Sequence, residues 1–188
     1  MRTVNKEEQA LIDSLKQEGV LEKLDPGKMT SGVFFICGDC DRSRDKVTHY
    51  FSKLEGGGET NPRLHLVALN GGPLNLAYPH YEDEKKLAAV RSFILENQIC
   101  ASLPLKGLKR VILVGHWPCG QGEAWGMSLI DALRTLAEAV AMVKQKLGPE
   151  AEVVSHMHFD KGTGGMKTYH LRHRQLISPR EISLAQAR

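Results

Sequence analysis

The stretch Arg110-Val-Ile-Leu-Val-Gly115 decides the fold, because four consecutive aliphatic residues stand between a charged residue and a glycine. Two earlier stretches have the same character, Gly32-Val-Phe-Phe-Ile-Cys37 and Leu64-His-Leu-Val-Ala-Leu69. Strands of this kind are hydrophobic throughout instead of alternating with polar residues, which is typical of strands buried on both faces. The sequence therefore predicts an open sheet of mainly parallel strands that is covered by helices.

Stretches with helical periodicity separate these strands along the chain, and the resulting β-α-β order indicates the α/β class. Two further strands are expected, one starting at residue 151 and one over residues 167–171, with a glycine-rich hairpin turn between them. The predicted helices cover residues 5–24, 43–54, 82–98 and 128–147.

The length of 188 residues is close to that of one average domain, so we predict a single α/β domain over residues 1–188. We divide it into an N-terminal helical arm over residues 1–28, a core over residues 30–172 and a C-terminal extension over residues 173–188. The first helix precedes the first of these strands, so it connects no pair of them. Packing on its own sheet and packing on a neighbouring subunit both remain open for this helix.

The composition excludes several functional classes. Hydrophobic residues make up 41% and charged residues 25%, as in ordinary globular proteins. A net charge of +3 and an aromatic content of 6% give little support to nucleic-acid binding. No stretch approaches the ~18 uncharged apolar residues of a membrane span, and the N-terminus lacks the apolar segment of a signal peptide. We therefore expect a cytoplasmic protein without nucleic-acid or membrane partners, whose four cysteines are reduced or metal-bound.

Thiol and imidazole side chains stand at the carboxyl ends of two predicted strands. Cys37 ends the first strand, and the motif His116-Trp-Pro-Cys119 follows the third. In open α/β sheets, ligands bind outside the carboxyl ends of the strands. Thiolate and imidazole together are the ligands that Zn²⁺ prefers. The sequence therefore predicts a zinc site formed by Cys37, His116 and Cys119.

Two ligand sets can complete this site. Cys37, Cys40, His116 and Cys119 would form a closed set of three thiolates and one imidazole, which is typical of structural zinc. Without Cys40, the fourth position is left to water or to Asp39, as a catalytic site requires. Zinc lowers the pKa of bound water from ~15.7 to about 7, which makes hydroxide available at neutral pH.

The two motifs resemble those of the β-class carbonic anhydrases. That family carries Cys-x-Asp-x-Arg after one strand and His-x-x-Cys after a later one. Cys37-Gly-Asp39 and His116-Trp-Pro-Cys119 match the positions of the three zinc ligands and the aspartate, and the resemblance covers residues 30–172. It implies that the strand ending in Cys37 and the strand preceding His116 are neighbours in the sheet.

The resemblance implies reversible hydration of carbon dioxide to bicarbonate by a zinc-bound hydroxide, in a homodimer or a larger homo-oligomer. It also implies that Asp39 pairs with the motif arginine and accepts a hydrogen bond from the hydroxide. Asp41 occupies the arginine position of the family pattern and Arg42 follows it, so we predict Arg42 as the partner of Asp39. A register that starts at Cys40 regains an arginine at Arg44, but it puts Arg42 where the aspartate belongs.

Other functions stay open at this level. One is a non-catalytic protein of the same fold with the closed zinc site, and another is hydrolysis of a related small substrate such as carbon disulfide. Cys37 and Cys40 also form a Cys-x-x-Cys pair that could serve as a redox dithiol. His156 and His158 face the same side of a predicted strand, and we expect polar packing for them in place of metal binding.

Overall fold

The computed structural model describes residues 2–24, 30–38, 63–78 and 83–177. Within these residues one six-stranded sheet has the order β1-β6-β5-β4-β2-β3. Strands β3, β2, β4 and β5 are parallel to one another, whereas β6 and β1 continue the sheet in antiparallel pairing. The α/β class and the mainly parallel sheet are confirmed. The strands are β1 (Leu21–Lys23), β2 (Gly32–Cys37), β3 (Leu64–Leu69), β4 (Arg110–Trp117), β5 (Glu152–Asp160) and β6 (Met166–Leu171).

Helices flank this sheet, and two of them begin with a reciprocal capping box that pairs two otherwise unbonded backbone N–H groups. The boxes join Asn5 to Glu8 and Ser128 to Asp131. None of the helices in the described residues is long and apolar enough to cross a bilayer. The helices are α1 (Lys6–Gln17), α2 (Leu74–Ala77), α3 (Glu84–Ser92), α4 (Ser102–Lys106), α5 (Gly120–Ala124), α6 (Leu129–Leu147) and α7 (Arg174–Ile177), and a π-helical segment, Phe93–Cys100, continues α3.

The main hydrophobic core lies between the sheet and the helices α1 and α6. Leu133 and Leu136 of α6 are fully buried in the same cluster as Leu113 of β4. Ile12 and Leu15 of α1 are fully buried in that cluster too. The first helix therefore packs on its own sheet, which decides between the two packings that the sequence left open.

Strands β2 and β4 are neighbours, as the family resemblance implied. Phe35 of β2 pairs with Leu113 of β4, and Ile36 pairs with Val114, in parallel register. Because parallel neighbours run in the same direction, Cys37 at the end of β2 and His116 near the end of β4 come to the same edge of the sheet.

Three predicted elements need correction. The first helix ends at Gln17 and not at residue 24, because Gly19 adopts a positive φ of 73° and the chain then enters β1. The helix predicted over residues 82–98 changes to a π-helix at Phe93. Strand β4 runs two residues further than predicted, so His116 lies inside the strand.

The bounds predicted for β2 and β3 are confirmed, and so is the glycine-rich hairpin between β5 and β6. The expected burial on both faces holds for β2 but is wrong for β3, which is the edge strand and has Leu66 48% exposed. The short helix predicted over residues 43–54 lies outside the described residues.

Candidate metal centre

Three side chains from three different elements converge at the carboxyl edge of the sheet. Cys37 is the last residue of β2, His116 precedes the last residue of β4, and Cys119 is the N-cap of α5. One ligand atom from each lies within 4.8 Å of the other two. In the part of the chain that the structure describes, this is the one group of three or more such residues with this spacing.

The short connection between β4 and α5 brings the second and third of these residues together. The Trp117–Pro118 peptide bond is cis, and Cys119 follows in an extended conformation with φ −115° and ψ 118°. The backbone oxygen of Cys119 accepts a hydrogen bond from the N–H of Glu123 at 2.9 Å. The turn is thus anchored to the first turn of α5, with the Cys119 thiol placed beside Cys37.

The spacing and burial of the three side chains fit a zinc ion. The sulfurs of Cys37 and Cys119 are 4.0 Å apart. Two thiolates bound to one tetrahedral zinc at ~2.3 Å lie about 3.8 Å apart, so a small adjustment would close the site. Cys37 is 4% exposed, His116 9% and Cys119 1%. Charged thiolates in such a buried place are costly unless a cation or strong hydrogen-bond donors compensate them.

Hydrogen bonds favour a negative charge on one of the two sulfurs. The pKa of Cys119 is lowered to about 4, and the largest cause is the hydrogen bond with the Cys37 thiol, although burial opposes the shift. Hydrogen bonds from His116 and from the backbone N–H of Gly122 act in the same direction. These contacts favour the thiolate of Cys119, which is the form that binds a metal.

The loop after β3 supports the other cysteine from the opposite side. The backbone N–H of Gly71 donates to Cys37 Sγ at 3.2 Å. The Nδ2 atom of Asn75 donates to the carbonyl oxygens of Asn70, at 2.7 Å, and Gly72, at 2.9 Å. Sequence analysis missed Asn75, for which no spacing rule gives a signal.

Gly72 allows this loop to lie directly against the end of β2. It has a positive φ of 51°, and a Cβ atom on it would be 2.5 Å from the backbone nitrogen of Cys37. Any other residue at this position would clash with the backbone and strain the loop. The close approach of the loop is what brings the Gly71 N–H within reach of the Cys37 sulfur.

The two tryptophans near the motif have different roles. Trp117 is fully buried in the main core. Trp125 lies beside the loop after β3, where its ring would be 2.9 Å from a Cβ atom placed on Gly71. Tyr78 stacks on Trp125 with ring centroids 5.3 Å apart and donates to its backbone oxygen at 2.8 Å. Trp125 thus covers the loop that supports Cys37.

The remaining predicted site residues have two outcomes. Asp39, Arg42 and Cys40 lie outside the described residues, so their roles stay predictions. His156 and His158 are on β5, and His158 is the register partner of His116 on β4, but neither belongs to the three-residue group; His158 Nδ1 is 2.9 Å from Thr168 Oγ1. Among the described residues the structure thus brings together the three predicted metal ligands and not the pair on β5.

Comparison with solved structures found several β-carbonic anhydrases. A mutant of CafD from the fungus Aspergillus fumigatus has 11% identity and a TM-score of 0.39, covering 80% of this chain and 98% of that one. CafA from the same fungus has 14% identity and a TM-score of 0.34, covering 89% and 88%. One of two tetrameric β-carbonic anhydrases from Sordaria macrospora has 13% identity and a TM-score of 0.31, covering 85% and 88%.

No protein-family model matches the chain, and the search of curated proteins found no match. The solved structures belong to the family that the sequence motifs resemble. Their TM-scores are all below 0.4.

Proposed function

We propose that this protein is a zinc-dependent carbonic anhydrase that hydrates carbon dioxide reversibly to bicarbonate. The supporting observation is the convergence of Cys37, His116 and Cys119, whose ligand atoms lie within 4.8 Å of one another. This donor set matches the family motifs that the sequence resembles, residue by residue. In the proposal these three side chains hold the zinc.

The donor set suits zinc and leaves a position open. Two sulfurs and one imidazole nitrogen are soft ligands of the kind that bind Zn²⁺, and three protein ligands are typical of catalytic zinc sites. A zinc ion held there supplies a Lewis acid that lowers the pKa of water to about 7. The lowered pKa of Cys119 and the hydrogen bond from the Gly71 N–H to Cys37 both favour metal binding by these two sulfurs.

The proposal assigns two further residues on the strength of the motif resemblance. Asp39 would accept a hydrogen bond from the attacking water and so orient it toward carbon dioxide. Arg42 would pair with the Asp39 carboxylate and hold it away from the metal. Arg42 stands one position later than the family pattern places its arginine, so the pair depends on the conformation of the turn after Gly38.

Metal analysis followed by a stopped-flow hydration assay tests the proposal. We expect about one zinc per chain and hydration above the buffer rate, both of them lost in the Cys119→Ser variant. Zinc below about a tenth of an equivalent would refute the metal site. Full zinc without hydration would refute the reaction, and carbon disulfide would then be the next substrate to assay.

The Cys40→Ser variant separates the open site from the closed one. If Cys37, His116 and Cys119 are the protein ligands, Cys40→Ser keeps its zinc and its hydration activity. Loss of zinc and of folding in Cys40→Ser would instead indicate a closed structural site of three cysteines and one histidine.

The resemblance also leads us to propose that the protein self-associates as a homodimer or a larger homo-oligomer. Sedimentation equilibrium of the zinc-loaded protein would check this proposal, and a monomer at micromolar concentration would contradict it. The cytoplasmic location stays a prediction from the sequence.

A further inference from the structure

The N-terminal segment makes direct contact with the turn that carries two of the three proposed ligands. Trp117 stands between His116 and Cys119 in the chain and is fully buried. Its only polar side-chain atom, Nε1, donates to Glu8 Oε1 at 2.8 Å. The partner comes from α1, which is 109 residues away in sequence.

Arg2 extends this contact to the other side of the turn. It donates two hydrogen bonds to the Glu8 carboxylate, both of 2.8 Å. It also forms an ion pair with Glu123 of α5, the helix that Cys119 caps. Its guanidinium carbon lies 5.5 Å from the centroid of the Trp117 ring, within the range of a cation–π contact. We call Arg2, Glu8, Trp117 and Glu123 the N-terminal clamp.

The end of the clamp that lies on α1 is itself fixed in place. Glu8 Oε2 accepts the backbone N–H of Asn5 at 2.9 Å as part of the capping box of α1. Ile12 and Leu15 anchor the same helix in the core. The backbone N–H of Val4 donates to the backbone oxygen of Asp160, at the end of β5, at 2.9 Å. The position of the Glu8 carboxylate is therefore fixed by the packing of α1 on the sheet.

The charge on Glu8 is stabilised although the side chain is partly buried. Burial disfavours ionisation, yet hydrogen bonds from Arg2, Asn5 and Trp117 together hold the pKa of Glu8 below its ordinary value. Hydrogen bonds to a charged acceptor are stronger than bonds between neutral groups. The bond from Trp117 to Glu8 can therefore restrain the position of the indole ring.

We propose that Glu8 and Arg2 are positioning residues for the metal centre. They hold Trp117 and the start of α5, and thereby fix the spacing of His116 and Cys119. The inference rests on the proposed zinc site. Residues that orient the ligands of a metal change its affinity typically 10–100-fold when they are removed. Such residues usually form a hydrogen bond with a ligand itself. The N-terminal clamp instead contacts Trp117, which lies between the ligands His116 and Cys119 in the chain.

Zinc affinities of matched variants, measured by competition with a chromophoric chelator, test the clamp. We expect Glu8→Ala and Trp117→Phe each to bind zinc about 10–100-fold more weakly than the wild type. Trp117→Phe keeps an aromatic ring but removes the N–H. Glu8→Gln keeps an acceptor for that N–H and should recover part of the loss. Asp13→Ala is the control, because it removes an exposed carboxylate of the same helix that pairs with Lys16.

The double variant Glu8→Ala/Trp117→Phe separates positioning from general stability. If the two residues act through one hydrogen bond, the double variant binds zinc no more weakly than the worse single variant. The absorption bands of bound Co²⁺ should shift in the Glu8 and Trp117 variants and stay unchanged in Asp13→Ala, since they report the ligand geometry.

Three results would overturn the inference. Zinc affinities of Glu8→Ala and Trp117→Phe within twofold of the wild type would show that the clamp does not position the ligands. Fully additive losses in the double variant would show two independent effects. If Glu8→Ala does not fold, Trp117→Phe with unchanged zinc affinity and unchanged Co²⁺ bands would contradict the role of the bond between Trp117 and Glu8. Absence of zinc binding by the wild type would instead refute the proposed function itself, and the inference with it.

Discussion

Two regions of one sheet carry buried histidines, and only one of them collects metal ligands. At the carboxyl edge, His116 meets two thiols that come from β2 and from the N-cap of α5. On β5 and β6, His156 and His170 are paired across antiparallel strands, with ring centroids 5.6 Å apart. We call His156, His158 and His170 the histidine row; it starts beside the edge, because His158 is the register partner of His116. The side chains of the histidine row come from paired positions on neighbouring strands, whereas the ligand atoms at the edge converge within 4.8 Å of one another.

Lowered pKa values have opposite meanings in the two regions. Cys119 has its pKa lowered to about 4 by hydrogen bonds, and for a thiol this means that the charged, metal-binding form is stable. His156 has its pKa lowered to about 3, first by burial and then by the nearby His170 and Arg110, and for an imidazole this means that the neutral form is stable. The edge of the sheet favours an anion on Cys119, whereas the interior of the sheet disfavours a cation on His156.

The largest expected effect is the difference in zinc affinity between two variants, each of which lacks one imidazole from one of the two regions. His116→Asn should lower the zinc affinity more than about 100-fold, because it deletes a ligand. His170→Asn removes a half-buried imidazole of the histidine row and should leave the zinc content at the wild-type value. Metal analysis after dialysis against a weak chelator measures both. Equal zinc loss in the two variants would erase the distinction between the regions.

A pH titration of stability tests the histidine row directly. The pKa of His156 is about 3 in the folded state and near 6.5 in the unfolded chain, so the unfolded state binds the extra proton between these values. Stability is therefore lost as the pH falls below 6.5, by about 2 kcal/mol between pH 6.5 and 5. His156→Leu should remove this part of the slope, as measured by urea unfolding of the metal-free protein. An unchanged slope would contradict a buried neutral imidazole.

The sequence predicts β2, β3 and the edge position of the ligands because these follow from local patterns. Gly32–Cys37 is apolar throughout and Leu64–Leu69 is apolar except for His65, and parallel neighbours bring their carboxyl ends to one edge. The short β1 was missed because helical spacing continues through residues 20–24, whereas the positive φ of Gly19 stops the helix.

The supports of the metal centre were missed for a different reason. The bond from Trp117 to Glu8 joins residues 109 positions apart, and no periodicity connects them. The role of Asn75 depends on the path of the loop after β3, which only the folded chain defines. Ligand types can be read from the sequence, but the contacts that hold ligands in place depend on tertiary structure.

The third change, Asn75→Ala, should have the smallest effect. It tests whether the convergence of the ligands at the edge depends on the loop after β3. Asn75 is buried and donates two hydrogen bonds that hold the carbonyl groups of Asn70 and Gly72. A net hydrogen bond contributes about 1 kcal/mol, and each 1.4 kcal/mol lost from the free energy of zinc binding is a tenfold weaker affinity, so we expect Asn75→Ala to bind zinc about tenfold more weakly. Chelator competition measures the change in affinity.

Asn70→Ala is the matched control, because it removes the exposed amide of Asn70 and keeps the backbone oxygen that Asn75 bonds. It should bind zinc within about twofold of the wild type. A loss in Asn70→Ala equal to that in Asn75→Ala would mean that the loop acts through its own side chains. Wild-type affinity in both variants would mean that the Gly71 N–H reaches Cys37 without the Asn75 side chain. In that case the approach of Gly72 to the end of β2 would be sufficient to hold the first ligand at the edge.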